Sequence, residues 1–324
     1  MTEHEEYESQ LVTLLRCPQC GGTLTPVQAE ANMYSEARCV ECGAPYRCIE
    51  GIWRMLTTEQ REQYRSFLQG YPALRQREGW EREEAYYLAL PDVPPGDPTA
   101  FVWSIRRRSL SVLDQLLAKE ANESVDRWAL DLGAGNGWLA RHLSRRGYRV
   151  IALDLTLGGL DSLSGARLYI EHDNTWLGRV QASMSRLPLA NSAFSLCTIS
   201  AALHYADTEQ TLREVYRVLA PDGLLVISDS PVYGSAQAGA AMAAEREARI
   251  AALLPGGSPR LPGGQNFLVE TELLEQMQHI GFGTQVIPIE RTLGSLKRSL
   301  LRAIKPGRRE EARFPVIVGR KRRA

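Results

Sequence analysis

Hydrophobic and polar residues alternate in regular blocks along the C-terminal two-thirds of the chain. Short apolar runs such as WALDL (128–132) and FSLCTIS (194–200) are typical of buried strands. Between the runs, TEQTLREVYRVL (208–219) places Leu212 and Val218 on one face, as an amphipathic helix does. Strands that alternate with helices predict right-handed crossovers, and therefore an α/β fold built on a doubly wound, mostly parallel sheet. Seven strands are predicted, at 128–132, 149–155, 179–183, 194–200, 223–229, 284–290 and 313–321.

The same pattern divides the chain into three parts. Residues 11–56 form a compact cysteine-containing module, and residues 57–127 form a helical linker or lid that is broken by the proline-rich segment PDVPPGDPTA. Residues 128–324 form the main domain. An Ala-rich helix and a Gly/Pro loop at 231–266 follow the fifth strand. An insertion at that point is expected on the ligand side of such a sheet, as a cap.

Composition and charge narrow the class of protein. The chain has 324 residues, of which 44% are hydrophobic and 23% charged, so a packed core is feasible. Apolar runs stay below the ~20 residues of a membrane span, and the acidic start MTEHEEYESQ lacks a secretory signal pattern, so we expect a cytoplasmic protein. The net charge is zero, yet residues 291–324 hold twelve Lys and Arg against two Glu. This asymmetry indicates an anionic partner for the tail.

Four of the six cysteines form two Cys-x-x-Cys pairs, Cys17/Cys20 and Cys39/Cys42, separated by eighteen residues. This spacing is typical of a structural zinc site, because two thiolates on such a turn can reach one tetrahedral ion. A redox Cys-x-x-Cys is the alternative, but the pairs lie outside any βαβ pattern. We therefore predict a zinc ribbon in which all four thiolates bind the ion, with no coordination position left for catalysis.

A glycine-rich segment follows the first strand of the main domain and precedes a helix. In DLGAGNG, Asp131 is followed by Gly133, Gly135 and Gly137, which allow a tight turn and close approach of the backbone to a ligand. The spacing is neither the dinucleotide fingerprint nor a P-loop. Asp154 ends the second strand, where a carboxylate can accept both hydroxyls of a ribose.

These motifs carry a resemblance to class I S-adenosylmethionine (SAM)-dependent methyltransferases. DLGAGNG looks like their first motif, VIALDLT like their second strand, and SRLPLANSAFSLCTISAALHYADTEQTLREVYRVLAPDGLLVISD like the continuation found in their small-molecule subfamily. The match spans roughly residues 128–230 and implies a Rossmann-like sheet of seven strands with an antiparallel last strand. The ribbon, ending YRCIEGIWRML, is similar to the zinc ribbon of the small activator subunit of certain tRNA and release-factor methyltransferases.

The resemblance implies roles for individual residues. The loop from Asp131 to Gly137 would hold the methionine part of SAM, and Asp154 would bind its ribose. The turn after the third strand would hold the adenine; the family often has an acid at the position of Ser183, so Ser183, Met184 or backbone carbonyls would replace it here. Cofactor-binding residues implied by position are Asp131, Gly133, Gly135, Gly137, Asp154, Leu155, Ser183, Met184 and Ser200.

His204, just past the fourth strand, is the candidate general base, needed only if the acceptor must lose a proton. The alternative is a structural histidine beneath the acceptor pocket. A small molecule is the first acceptor hypothesis, because of the core resemblance and the cap at 231–266. RNA is the second, through the ribbon and the basic tail. A lipid or quinone is the third, through a basic helix at 292–306 with an apolar stripe. A non-catalytic scaffold is the remaining alternative.

Overall fold

The computed structural model describes residues 3–28, 34–120, 127–254, 257, 259–289 and 310–322. The basic helix predicted at 292–306 lies outside the described residues. The N-terminal helix α1 spans Glu3–Leu14 and precedes strands β1 (Leu24–Gln28), β2 (Tyr34–Cys39), β3 (Pro45–Ile49) and β4 (Ile52–Arg54). The next 73 positions up to the main sheet contain helices α2 (Thr58–Gln63), α3 (Arg65–Arg77), α4 (Glu84–Ala89) and α5 (Ala100–Lys119).

The main domain begins with alternating elements, as predicted. They are β5 (Trp128–Leu132), α6 (Trp138–Ser144), β6 (Arg149–Asp154), α7 (Ala166–Asp173), β7 (Gly178–Gln181), β8 (Phe194–Ser200), α8 (Thr208–Val218) and β9 (Leu219–Ser228). The remaining elements are β10 (Val232–Tyr233), α9 (Ala236–Leu253), β11 (Leu268–Val269), α10 (Glu270–Ile280), β12 (Phe282–Ile287) and β13 (Val316–Lys321). None of the helices in this described part of the chain has the length and hydrophobicity that a membrane crossing requires.

The central sheet has the strand order β7-β6-β5-β8-β9-β13-β12. Neighbours from β7 to β9 pair in parallel, whereas β13 is antiparallel to both β9 and β12. This confirms the predicted Rossmann-like α/β fold with its antiparallel last strand. Strand β9 starts at Leu219, four residues earlier than the turn at Pro221–Gly223 suggested.

Alternating side chains of the central strands enter two different hydrophobic clusters. In β6, Ile151 and Leu153 belong to one cluster, while Val150 and Ala152 belong to the other. All four are fully buried, because helices cover both faces of the sheet. Cys197 in β8 is also fully buried, as expected for a small core residue.

The strands of the four-Cys module (residues 11–56) continue the central sheet. Strands β1 to β3 form an antiparallel meander, and β4 pairs antiparallel with β3 and in parallel with β7. Ile52 lies opposite Arg179 and Arg54 opposite Gln181, so the full sheet has eleven strands among the described residues. The module is therefore joined to the main domain by backbone hydrogen bonds as well as by the chain.

A layer of helices covers the carboxyl ends of the parallel strands. The region 57–90, predicted as helical, contains three short helices, α2 to α4, and α5 follows the proline-rich segment. Helix α9 in the predicted insertion contacts α3, and it also contacts β10 and β11, which form a short parallel pair. We call α2 to α5, α9 and residues 259–267 the cap.

Candidate functional site

The glycine loop turns tightly between β5 and α6. Gly133, Gly135 and Gly137 have φ angles of 67°, 54° and 79°, in the left-handed region that side chains rarely adopt. A Cβ on Gly133 would lie 2.2 Å from the Cβ of Ala202, so even alanine would collide with the segment after β8. Glycine is therefore required here by both conformation and space.

Asp154 ties the end of β6 to this loop. One carboxylate oxygen accepts from the Gly135 amide at 2.9 Å, and the other accepts from the amide and hydroxyl of Thr156, both at 2.8 Å. Burial raises the pKa of Asp154, and these hydrogen bonds act in the opposite direction. The oxygen that faces Gly135 accepts one bond among the described residues, so it retains capacity for a ligand hydroxyl.

The loop and Asp154 face a cavity of about 620 Å³ between the strand ends and the cap. This volume lies within the usual range for small-molecule and cofactor pockets. The wall formed by the strand ends comprises residues 133–136, 153–156, Ala182, Met184 and 200–202. The opposite wall comes from the cap and carries aromatic and basic side chains: Phe67, Tyr71, Arg75, Trp80, Tyr86, Tyr87, Trp103, Arg106, Arg246 and Arg249.

Most of the site residues predicted from the sequence line this cavity. They are Gly133, Gly135, Asp154, Leu155, Met184, Ser200 and His204.

Asp131, Gly137 and Ser183 lie behind the wall instead. Asp131 is almost fully buried and accepts a hydrogen bond from the Thr198 hydroxyl at 2.8 Å; burial raises its pKa to about 7. The hydroxyl of Ser183 lies 3.1 Å from that of Tyr64. Asp131 and Ser183 are thus placed to support the wall of the cavity.

His204 lies in a short 3₁₀ turn after β8 and is buried. Its Nδ1 is 3.1 Å from the Ser230 hydroxyl. Burial, together with the nearby charge of Arg246, lowers the pKa of His204 to about 3. The imidazole is therefore neutral at physiological pH and a weak proton acceptor, since an effective general base has a pKa near the working pH.

The structure adds an acid that the sequence pattern did not single out. Asp229 follows β9 with a φ of 59°, and its carboxylate accepts from the hydroxyls of Ser109 (2.7 Å), Ser200 (2.7 Å) and Ser228 (2.9 Å). A non-glycine residue with positive φ at the end of a strand is a frequent mark of a functional site. The sequence offered one indication that Asp229 belongs to the site. Asp229 stands at the end of a predicted strand, as Asp154 does.

Arg106 of α5 also borders the cavity. Its guanidinium lies over the rings of Trp103 (4.4 Å) and Trp80 (5.8 Å). Its buried Nε has no hydrogen-bond partner among the residues that the structure describes. Burial lowers the pKa of Arg106, and the charge of Asp229 acts against that effect. The cavity is thus lined by one cation, Arg106, and one anion, Asp229.

An ion pair joins the cap to the loop after β6. The Nε of Arg75 donates to Asp161 at 2.7 Å, and the Arg75 guanidinium stacks on Trp80 at 4.0 Å. Both charged side chains are mostly shielded from solvent, with exposed fractions of 19% and 25%. The pair therefore fixes α3 against the segment that follows Asp154.

The four predicted metal ligands converge in the N-terminal module. The sulfur atoms of Cys17, Cys20, Cys39 and Cys42 all lie within 4.8 Å of one another. The Cys17–Cys42 and Cys20–Cys39 sulfur distances are 3.6 and 3.4 Å. Tetrahedral coordination with bonds of about 2.3 Å requires sulfur separations of roughly 3.8 Å, so the four sulfur atoms are near enough to one another to hold a zinc ion.

Each cysteine pair lies on the same kind of turn. The Gly21 amide donates to the Cys17 carbonyl at 2.8 Å, and the Gly43 amide donates to the Cys39 carbonyl at 3.0 Å. Both glycines have positive φ, at 81° and 72°. The repeated turn explains why a glycine follows each pair. Cys48 is separate from the cluster.

Comparison with known proteins finds relatives of the central part of the chain. Residues 130–227 match the family described as methyltransferase domain. A malonyl-[acyl-carrier protein] O-methyltransferase from Methylovorus sp. (strain MP688) is 37% identical over 130 residues, which cover 38% of this chain and 42% of that protein. A demethylmenaquinone methyltransferase from Thermus thermophilus is 35% identical over 114 residues, covering 34% of this chain and 50% of that protein. The chain thus matches at most half the length of these relatives.

Among solved structures, a geranyl diphosphate C-methyltransferase from Streptomyces coelicolor A3(2) has a TM-score of 0.50 and 18% identity. The similarity covers 77% of this chain and 97% of that one. At this level of identity it establishes the fold alone. The central part of the chain is therefore similar to methyltransferase domains, and it has the predicted Rossmann-like sheet.

Proposed function

We propose that the protein is a SAM-dependent methyltransferase that acts on a small molecule. The observation that carries this proposal is the convergence of the glycine loop and Asp154 on one cavity at the carboxyl ends of parallel strands. That edge is where open α/β sheets bind their ligands. The match of residues 130–227 to the methyltransferase domain supports the same reaction class.

The named acceptors of the relatives do not fix the acceptor of this chain. One relative is named for a malonyl group on an acyl-carrier protein and another for demethylmenaquinone. The family match covers residues 130–227 and so does not include the cap. Because the cap supplies the wall that faces the strand ends, the acceptor has to be inferred from the cap itself.

The residues on the strand side fit the nucleoside part of SAM. Gly133 lines this wall, and because it lacks a Cβ its backbone can lie against Ala202. Asp154 retains an acceptor position for a ribose hydroxyl and is held in place by Gly135 and Thr156. Leu155, Ala182 and Met184 supply apolar contacts along the same wall, suited to an adenine ring.

The amino-acid end of SAM carries one carboxylate and one ammonium group. Arg106 and Asp229 form the complementary set, because they present a cation and an anion to the same cavity. The three serine hydroxyls around Asp229 fix the orientation of its carboxylate. We assign Arg106 to the carboxylate and Asp229 to the ammonium group.

SAM supplies a methyl group that is already activated by its sulfonium sulfur. The protein therefore has to align the acceptor and exclude water. Tyr71 and Trp80 of the cap close the cavity, and the Arg75–Asp161 pair holds this closure against the strand side. His204, neutral and buried, contributes shape and a hydrogen bond rather than strong basicity.

We further propose that Cys17, Cys20, Cys39 and Cys42 hold a structural zinc ion, as in a zinc ribbon. Four thiolates at tetrahedral spacing complete the coordination of zinc, so the site supplies stability and no catalysis. Such an ion contributes an apparent ~10–16 kcal/mol in small zinc modules. A module of this size has too small a core to fold on its own without such support.

The test has two stages. Calorimetry with SAM and with S-adenosylhomocysteine is expected to show binding at a single site. The protein is then incubated with methyl-labelled SAM and a cell extract that is fractionated into small molecules, RNA and protein. Label in the small-molecule fraction is the expected result. Label confined to RNA would replace the small-molecule hypothesis, and absence of cofactor binding would favour a non-catalytic scaffold.

A further inference from the structure

Arg246 of α9 points a guanidinium into the cavity beside His204. One terminal nitrogen lies 3.2 Å from the Tyr205 hydroxyl and the other 3.4 Å from the Asn266 side-chain oxygen. The guanidinium also lies over the Tyr205 ring at 5.6 Å. Arg246 is therefore held in position by neutral groups, at the end of the cavity nearest the turn after β8.

The three aspartates that line the cavity are engaged elsewhere. Asp161 pairs with Arg75, Asp229 accepts three serine hydroxyls, and Asp154 accepts from Gly135 and Thr156. In the described ranges, no carboxylate lies within ion-pair distance of Arg246. A part-buried cation whose partners are all neutral favours an anionic ligand, because desolvation of a charge is offset best by an opposite charge.

The surroundings of Arg246 describe the rest of that ligand. The cavity continues past His204 and Tyr205 into a neighbouring groove of about 720 Å³, and Arg246 borders both spaces. The two spaces are lined by apolar and aromatic side chains, namely Tyr71, Leu261, Phe314, Tyr233 and Met242. The groove is also lined by Glu311 and by Glu310, whose carboxylate accepts from the Gly234 amide at 2.7 Å. A ligand that fills this space needs an apolar body with its charge at one end.

We propose that the methyl acceptor is an organic oxyanion, a carboxylate or a phosphate ester with an apolar body, whose charged group binds Arg246. This inference rests on the proposed methyltransferase function and names the acceptor class of the same site. The planar guanidinium suits either oxyanion, since both offer two oxygens to its parallel N–H groups. Arg246 is thus the residue that selects charged acceptors over their neutral analogues.

The experiment begins with calorimetry of S-adenosylhomocysteine on the wild type and on each variant. Failure of this step contradicts the proposed function, and unaltered binding shows that a variant is folded. Protein saturated with S-adenosylhomocysteine is then titrated with phenylacetate, phenyl phosphate and the neutral phenylacetamide at up to millimolar concentration. At least one anion is expected to bind about ten- to a hundredfold more tightly than the amide, the range for hydrogen bonds to charged groups.

The variants test whether the preference for anions over the amide depends on Arg246. Arg246→Gln is expected to remove the preference for anions, and Arg246→Lys to retain part of it, because lysine keeps the charge but loses the forked donor geometry. Arg260→Gln is the matched control, because Arg260 belongs to the same cap but pairs with Glu247 at 2.8 Å and does not border the cavity. It is expected to behave as the wild type.

The outcomes separate the two sources of the anion. Tighter binding of phenylacetate assigns a carboxylate acceptor, and tighter binding of phenyl phosphate assigns a phosphate ester. Equal binding of the amide and both anions would overturn the proposal. It would also be overturned by the failure of both anions to bind, or by an anion preference that survives in folded Arg246→Gln.

Discussion

The two walls of the cavity are built in different ways. The strand wall, made by the residues that follow β5, β6, β7 and β8, relies on glycines and on backbone amides that fix Asp154. The cap wall relies on long side chains, with Arg75, Arg106 and Arg246 stacked on aromatic rings. The backbone groups of the strand wall suit a ligand that does not vary, such as the proposed cofactor. The side chains of the cap wall suit a ligand that varies, because exchange of a few of them would change which acceptor binds. Four predictions test this difference, beginning with the largest expected effect.

The first concerns the support of the strand wall by the four-Cys module. The chain leaves β4 through Met55, whose amide donates to the Gln181 carbonyl at 2.9 Å, and Leu56 packs against Leu155 of the wall. Cys39→Ser is expected to remove zinc, unfold the module and abolish binding of SAM. Metal analysis and calorimetry measure the two effects.

Cys48→Ser is the control for that variant, because Cys48 lies in the same module but outside the sulfur cluster. It is expected to keep one zinc ion per chain. If Cys39→Ser retained both zinc and SAM affinity, the metal assignment and the dependence of the strand wall on the module would both be wrong.

The second prediction concerns the fixed point of the strand wall. Asp154→Ala is expected to weaken SAM binding by about 1–3 kcal/mol, through lost hydrogen bonds to a charged group. Asp114→Ala is the control, since Asp114 pairs with Arg146 at 2.7 Å and does not border the cavity. Isothermal calorimetry with SAM on both variants tests whether Asp154 binds the ribose. Equal SAM affinities of the two variants would contradict that assignment.

The third prediction concerns the connection between the walls. Arg75→Gln is expected to lower the free energy of unfolding by about 1–2 kcal/mol, because a shielded charge on Asp161 loses its partner. Asp161→Asn in the same background is expected to restore part of the loss. Denaturant unfolding of the two single variants and the double variant gives the coupling energy, which would be near zero if the pair did not hold the cap.

The fourth prediction uses pH. The pKa of His204 is about 3 in the folded chain, against about 6.5 when unfolded, so the unfolded state binds more protons between these values. The contribution of His204 to stability is complete above pH 6.5 and declines as pH falls, by roughly 1 kcal/mol per pH unit.

Asp131 acts in the opposite direction, since its pKa is raised to about 7 and its stabilising protonation is lost as pH rises from 4 to 7. The measurement is therefore the difference in unfolding free energy between the wild type and His204→Gln from pH 7 to pH 4, in which the term from Asp131 cancels. A difference that does not change with pH would place His204 in a more solvated position than its burial indicates.

The strand wall could be predicted from the sequence because its residues stand in one short ordered series. Gly133, Gly135 and Asp154 follow predicted strands, and parallel strands bring their carboxyl ends together. The same argument placed Ser183 in the cavity, whereas its hydroxyl faces Tyr64, 119 positions earlier. A motif fixes where the backbone runs, but the direction of a side chain there depends on its distant neighbours.

The cap wall could not be predicted from the sequence, because its side chains are positioned by residues that are distant along the chain. The partners Arg75 and Asp161 are 86 positions apart, and Ser109 and Asp229 are 120 positions apart. Arg246 lies in an Ala-rich amphipathic helix, where an arginine is ordinarily a solvated residue. Arg260, in the Gly/Pro loop that follows this helix, faces outward and pairs with Glu247.

The parallel pairing of β4 with β7 also affects how a truncated form of this chain would behave. Without β4, the backbone N–H and C=O groups on that edge of β7 would be left unpaired, on a strand whose four residues are all buried. An open strand of this kind is a template for pairing with another molecule. A fragment that begins after residue 56 would therefore associate through β7, and the four-Cys module serves the intact chain as a cover that keeps neighbouring molecules apart.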